Sequence, residues 1–207
     1  MSGGSTASTA QYRFSLQGKR LLTDPRLNRI LVSPERPIRF RQMMDEGGSL
    51  VVNLAKGRLG EDSANILGGM IVSTIALAAL SRAETPQASR RPFFLYVDEF
   101  QSFTTLAFVS MMAELRKYGV GLTLAHQHLH QLDPDLRHAV LGNAGTLISF
   151  RVGAEDAPWL AREFQPTFQV LDLINLPNRH FYLRLMIEGT PGRGFSARAT
   201  LGKEPRL

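Results

Sequence analysis

Two carboxylates stand side by side at Asp98 and Glu99, directly after the apolar run Phe93-Phe-Leu-Tyr-Val97. Such a run reads as a buried strand. In an open α/β sheet a buried strand delivers whatever follows it to the carboxyl edge, where ligands bind. Adjacent acids are costly there unless a cation or hydrogen-bond donors meet them. The chemistry that needs such a pair is phosphoryl transfer, in which the aspartate organises Mg²⁺ and the glutamate polarises the water that attacks a γ-phosphate. That is the arrangement of a Walker B element. Taken alone the pattern is loose, because many strands end in an acidic turn.

Gln127 is the next candidate. It follows the strand expected at Val120–Ala125, within Ala125-His-Gln-His-Leu129. An amide at that edge could sense a γ-phosphate or orient the lytic water, and it could equally cap the following turn. The interval from Asp98 to Gln127 fits a strand–helix–strand unit, which would bring both to one edge of the sheet. Arg116 and Lys117 end a helix within Glu114-Leu-Arg-Lys-Tyr-Gly119, where cations suit the helix dipole. The chemical alternative is an arginine finger reaching a neighbouring subunit's nucleotide, worth about 10³ or more in rate. His126, His128 and His130 alternate in a way that suits no single helical face, and the one carboxylate close to them in sequence is Asp133, so metal binding is not favoured. The basic turn Lys56-Gly-Arg-Leu-Gly60 could contact phosphate, although a tight turn explains it. No Gly-x-x-x-x-Gly-Lys-Ser/Thr phosphate loop occurs in the sequence.

The elements that must position these residues alternate between strand and helix. This predicts an α/β fold with a mostly parallel sheet flanked by helices. Short helices are expected at Asp24–Ile30 and Arg39–Asp45, a β-branched strand at Ser49–Ala55 and a long helix at Glu61–Arg82. After the acidic strand come a helix at Thr104–Lys117 stopped by Gly119, the strand Val120–Ala125 and a helix at Asp135–Leu141. A strand at Thr146–Val152, a helix at Glu155–Glu163 and a hairpin of Arg179–Ile187 with Gly194–Thr200 complete the chain. Residues 1–12 read as a disordered polar tail and 13–203 as one domain.

Composition bounds the function classes. With 43% hydrophobic and 20% charged residues over 207 positions, the chain can build one ordinary core. The absence of cysteine excludes disulfides and thiolate metal sites. A net charge of +6 and a pI near 10.2 favour polyanionic partners, with Arg26, Arg29, Arg36, Arg39 and Arg41 the densest basic cluster and Arg90–Arg91 a second. The start of the chain has no signal-peptide pattern. The uncharged stretch Ala64–Leu80 sits at the short limit for a membrane span and reads as a buried helix with small-residue packing faces.

The order of motifs carries more than any single one. Leu54-Ala-Lys-Gly-Arg-Leu-Gly60, Leu67-Gly68, Leu80-Ser-Arg82, Phe94-Leu-Tyr-Val-Asp-Glu-Phe-Gln101, Leu115-Arg-Lys-Tyr-Gly119, Ala125-His-Gln127, Gly142-Asn143 and Phe150-Arg-Val-Gly153 follow one another. The series resembles the carboxyl-terminal half of the nucleotide-binding domain of conjugative, type IV secretion coupling ATPases of the TraG/TraD type, relatives of the FtsK/HerA DNA translocases. The resemblance covers about residues 20–200.

It implies a partial RecA-like P-loop NTPase domain with a C-terminal hairpin, set in a homo-hexameric ring that pumps DNA with ATP and Mg²⁺ bound at subunit interfaces. By the same resemblance Asp98 is the Mg²⁺-organising acid, Glu99 the catalytic base, Gln127 the nucleotide-contacting γ-phosphate sensor and Arg116 the trans-acting finger. Arg151 falls in a family motif without an assigned role. Secretion-channel or relaxosome proteins are implied as partners, and the cytoplasm, at the inner face of the inner membrane, as the location.

The family binds triphosphate through an upstream phosphate loop, and this sequence starts after the place where that loop belongs. A truncated frame, split gene or excised fragment is therefore expected, with the chain inactive by itself. The family's amino-terminal membrane anchor and all-helical insert are likewise not evident. The competing expectations are a catalytically inactive module that binds DNA or a partner, and a plain α/β scaffold of the response-regulator kind.

Overall fold

The long helix forms where the sequence places it, with Glu61 and Asp62 in its first turn against the positive end of the helix dipole. The computed structural model describes Asn28, residues 37–103, Met112 and residues 114–200. The expected tail at 1–12, all of the helix at Asp24–Ile30 except the helical Asn28, the basic residues Arg26, Arg29 and Arg36 and most of the helix at Thr104–Lys117 lie outside the described residues.

The chain forms two compact units. Of the described residues, one takes Asn28 and 37–95 with Ser102, Phe103 and the return segment Leu115–Gly121, the other Tyr96–Gln101, Met112, Glu114 and 122–200. In the first, α1 (Phe40–Glu46) buries Phe40 and Met44, one helical turn apart, and ends on Gly47 in the left-handed conformation. A four-residue turn, α2 (Lys56–Leu59), precedes α3 (Glu61–Leu80), which buries Ala64, Leu67, Gly68, Val72, Ile75, Ala76 and Ala79. The small residues admit close neighbours: a Cβ at Gly68 would stand 2.1 Å from the ring of Phe103. By length and composition this helix, counted to Glu84, could cross a membrane.

The strand expected at Ser49–Ala55 is not formed. A β-branched run supplies propensity, but a strand also needs a partner for its N–H and C=O groups. Here Val51 is 94% exposed, while Leu54 packs against Leu67.

Arg82 organises this unit. It is wholly buried, donates from Nε to Asp45 Oδ1 at 3.0 Å and from Nη1 to the carbonyls of Arg91 and Tyr118, each at 3.0 Å. Its Nη2 stands at the same distance from the Asp45 oxygen without hydrogen-bonding alignment, so that contact is purely electrostatic. Burial alone would raise the Asp45 pKa; the hydrogen bonds and charges of Arg41 and Arg82 outweigh it and hold the carboxyl below its ordinary value.

β1 (Phe93–Val97) and β2 (Val120–Leu124) pair with each other. The Phe93 N–H bonds to the Gly119 carbonyl at one end and the Ala125 N–H to the Val97 carbonyl at the other, so the strands run parallel. β1 is covered on one face only: Val97 is buried, while Phe94 is 64% and Tyr96 72% exposed.

In the second unit, β3 (Leu147–Ser149), β4 (His180–Arg184) and β7 (Phe195–Arg198) form an antiparallel sheet, with Ser149 opposite Tyr182 and Tyr182 opposite Ser196. Between β4 and β7, β5 (Met186–Ile187) and β6 (Thr190–Pro191) make the tip of the expected hairpin. Tyr182 stacks on Phe168 at 3.6 Å, beside Phe164 of α5 (Ala157–Phe164). A further helix that the sequence reading missed, α6 (Val170–Ile174), starts with a capping box between Gln169 and Asp172. α4 (Pro134–Asn143) is capped by Asp133, whose side chain accepts from the Asp135 N–H. The described strands fall into three separate sheets. Among the described residues one pair is parallel and the rest antiparallel, so the mostly parallel expectation is not met.

Candidate functional site

Asp98 and Glu99 follow β1 directly, and the backbone turns hard at this point. Glu99 has φ 49°, a left-handed conformation that costs a non-glycine residue about 1–3 kcal/mol. Asp98 Oδ1 accepts from the Glu99 N–H at 3.0 Å and fixes the turn. The next N–H, of buried Phe100, donates to the Ala125 carbonyl at the end of β2. The acidic turn is thus folded onto the end of the neighbouring strand, where Gln127 waits.

The result is a three-residue constellation around one carboxylate. Gln127 Nε2 donates to Glu99 Oε1 at 2.6 Å, and Gln101 Nε2 donates to Glu99 Oε2 at 2.5 Å. Asp98 and Gln127 are exposed and Glu99 half-buried, so the site opens to solvent. Among the described residues neither acid is held in an ion pair. Chemically, this is a carboxylate held at both oxygens by amide donors, beside an open aspartate able to meet a hydrated cation. Gln101 was not singled out from sequence, although its place two residues beyond the acid pair was visible.

Arg116 is not part of this constellation: it stands in the 3₁₀ turn Arg116–Tyr118 that leads into β2, in the other unit. Lys56, in the basic turn, pairs with Glu61 at 3.0 Å and donates to Ser102 Oγ at 3.2 Å. Arg151 is exposed just beyond β3.

Behind Gln127 the alternating histidines diverge in environment. His126 packs edge-on against Phe100 at 5.2 Å, and burial lowers its pKa. Its Nδ1 is buried without a hydrogen-bond partner among the described residues. His130 instead meets a carboxylate that the sequence reading missed. Asp156, 3% exposed, accepts from the backbone N–H of Leu129 at 3.0 Å and of His130 at 2.7 Å, and lies 3.0 Å from His130 Nδ1. Its position just ahead of Ala157-Pro158 marks a helix cap, yet its side chain makes no capping bond and ties down this loop instead.

Residues 92–163 match the family model described as the TraM recognition site of TraD and TraG. No curated protein matches the chain. Among solved structures, the fold is similar to the bacterial conjugative coupling protein TrwB in its unbound form, at 17% identity and a TM-score of 0.69. It is likewise similar to the plasmid coupling protein TrwB in complex with ADP and Mg²⁺, at 18% identity and a TM-score of 0.65. Each of these comparisons covers 98% of this chain and 51% of the other, so the chain spans about half the length of the coupling proteins it matches. The genome packaging NTPase B204 of Sulfolobus turreted icosahedral virus 2, in complex with AMPPCP, is similar at 16% identity and a TM-score of 0.52, over 80% of this chain and 73% of that one. The resemblance to TraG/TraD-type coupling proteins drawn from the order of motifs is borne out.

Proposed function

We propose, from the premise of that resemblance, that this chain carries the Walker B-bearing part of a RecA-like motor ATPase that moves DNA in conjugation or type IV secretion. The observation that supports it best is the 2.6 Å bond from Gln127 to Glu99, which joins the two residues to which this reading gives the hydrolytic roles. In this reading Asp98 organises Mg²⁺ on the nucleotide, Glu99 holds the attacking water and Gln127 reports the γ-phosphate to Glu99 through the bond they share. Arg116 acts on the nucleotide of a neighbouring subunit in a homo-hexamer. DNA is the cargo track. The segment matching the TraM recognition model docks a relaxosome protein of that kind at the cytoplasmic face of the inner membrane.

ATP and Mg²⁺ would be cradled by a phosphate loop, which the sequence does not contain, so activity is tested in an assembly that supplies one. Glu99→Gln is expected to lower turnover by about 10²-fold or more there while leaving the fold intact. Turnover equal to wild type in that variant would defeat the assignment of Glu99. A second reading, an inactive module that binds DNA or a partner, draws on the net charge of +6. Micromolar affinity of the purified chain for ATP–Mg²⁺ would contradict it.

A further inference from the structure

The loop that carries Gln127 continues into His128 and His130, and His130 is built unlike a surface histidine. The buried Asp156 carboxylate only accepts hydrogen bonds, so the ring Nδ1 that faces it at 3.0 Å carries a proton, and Nε2 is the nitrogen turned away from it. A carboxylate that fixes an imidazole through one nitrogen and leaves the other free is the arrangement that orients metal-binding histidines. Opposite that second nitrogen, at 3.3 Å from Nε2, stands Glu155 Oε2. Two donors bound to one ion at about 2.1 Å and the tetrahedral angle stand about 3.4 Å apart, so this pair already has the spacing of two ligands on a shared metal. The ring of His128 lies 5.6 Å from that of His130, centroid to centroid. Two imidazoles on one tetrahedral ion have centroids roughly 5 Å apart. His128, His130 and Asp156 also offer donor atoms that all lie within 4.8 Å of one another.

We propose that His128, His130 Nε2 and Glu155 bind a divalent transition ion of the Zn²⁺ class, with Asp156 as the carboxylate that orients His130. Two imidazoles and a carboxylate favour such ions over Mg²⁺ or Ca²⁺, which prefer all-oxygen sites. Bound metal would tie the loop after β2 to the start of α5 and hold Gln127 from behind. Sequence spacing argued against a site because the carboxylates come from residues 155–156, far along the chain from the histidines. The proposal does not depend on the nucleotide reading, since it is tested with metal alone.

The full chain, freed of metal, is titrated with Zn²⁺ against a chromophoric chelator, and with Co²⁺ while its visible absorption is recorded. One equivalent of Zn²⁺ and a cobalt spectrum of low coordination number are expected. His128→Ala and Glu155→Gln, both at exposed side chains, are each expected to weaken binding at least about tenfold with unchanged circular dichroism. His138→Ala, at an exposed histidine of α4, is expected to leave affinity unchanged. The proposal is overturned if the wild-type chain takes up no zinc, if either ligand variant binds as tightly as wild type, or if His138→Ala removes the site.

Discussion

Glu99 is held in a conformation that its side chain disfavours, and two amides grip both of its oxygens. Strain of that kind persists only where surrounding contacts impose it. Here the contacts are the Asp98 cap on its own N–H and the bond from the next N–H to the end of β2. Gln127 has no comparable structural duty, since it is exposed and its side chain reaches only Glu99 among the described residues. Gln127→Ala should therefore change stability by less than about 1 kcal/mol, the scale of one exposed hydrogen bond. Its effect on turnover in a complemented enzyme should be much larger, about 10²-fold, as when one preorganised donor is removed from an active site. Thermal melting and steady-state hydrolysis on the same preparation test this. A large fall in melting temperature would make Gln127 a structural cap instead.

At the scale of elements, Arg82 joins the end of α1 to the segments that begin β1 and β2, through Asp45 and the carbonyls of Arg91 and Tyr118. Arg82→Ala strands two carbonyls and an acid and is expected to cost about 3 kcal/mol in a denaturant titration. The same pairing sets a pH dependence. The folded-state pKa of Asp45 lies below its ordinary 3.8, so its contribution to stability is complete above about pH 4 and is lost as pH falls through the lowered value. Asp45→Asn should flatten that acid limb, and an unchanged limb would refute the linkage.

The sequence made β1, β2, α3 and the acid pair readable because each is local: an apolar run, a glycine stop, a helical stretch of small residues. It misjudged Ser49–Ala55 because propensity cannot supply a pairing partner. It overlooked Asp156 because a carboxylate that serves a loop distant in sequence looks like an ordinary helix cap.

The molecule as a whole carries a charge of +6, and weak, salt-sensitive binding to duplex DNA is its expected behaviour. Which arginines deliver that charge is not what clustering in sequence suggests. Arg90 donates to the carbonyls of Thr85, Lys117 and Ala83 and lies over the ring of Tyr118, while Arg91 donates to the carbonyl of Glu46. Arg41 is spent on Asp45, Ser81 and Thr85 in the same way. Guanidiniums so engaged are held by the protein's own carbonyl, hydroxyl and carboxylate oxygens, and a phosphate would have to displace those bonds to use them. Each phosphate contact contributes about 0.9 to the slope of log affinity against log salt on duplex DNA. Arg90→Ala should accordingly leave that slope unchanged in fluorescence anisotropy between about 50 and 200 mM salt. It should also lower stability by about 1–2 kcal/mol through its lost carbonyl bonds. A slope reduced by about one unit with stability intact would instead make Arg90 a phosphate contact.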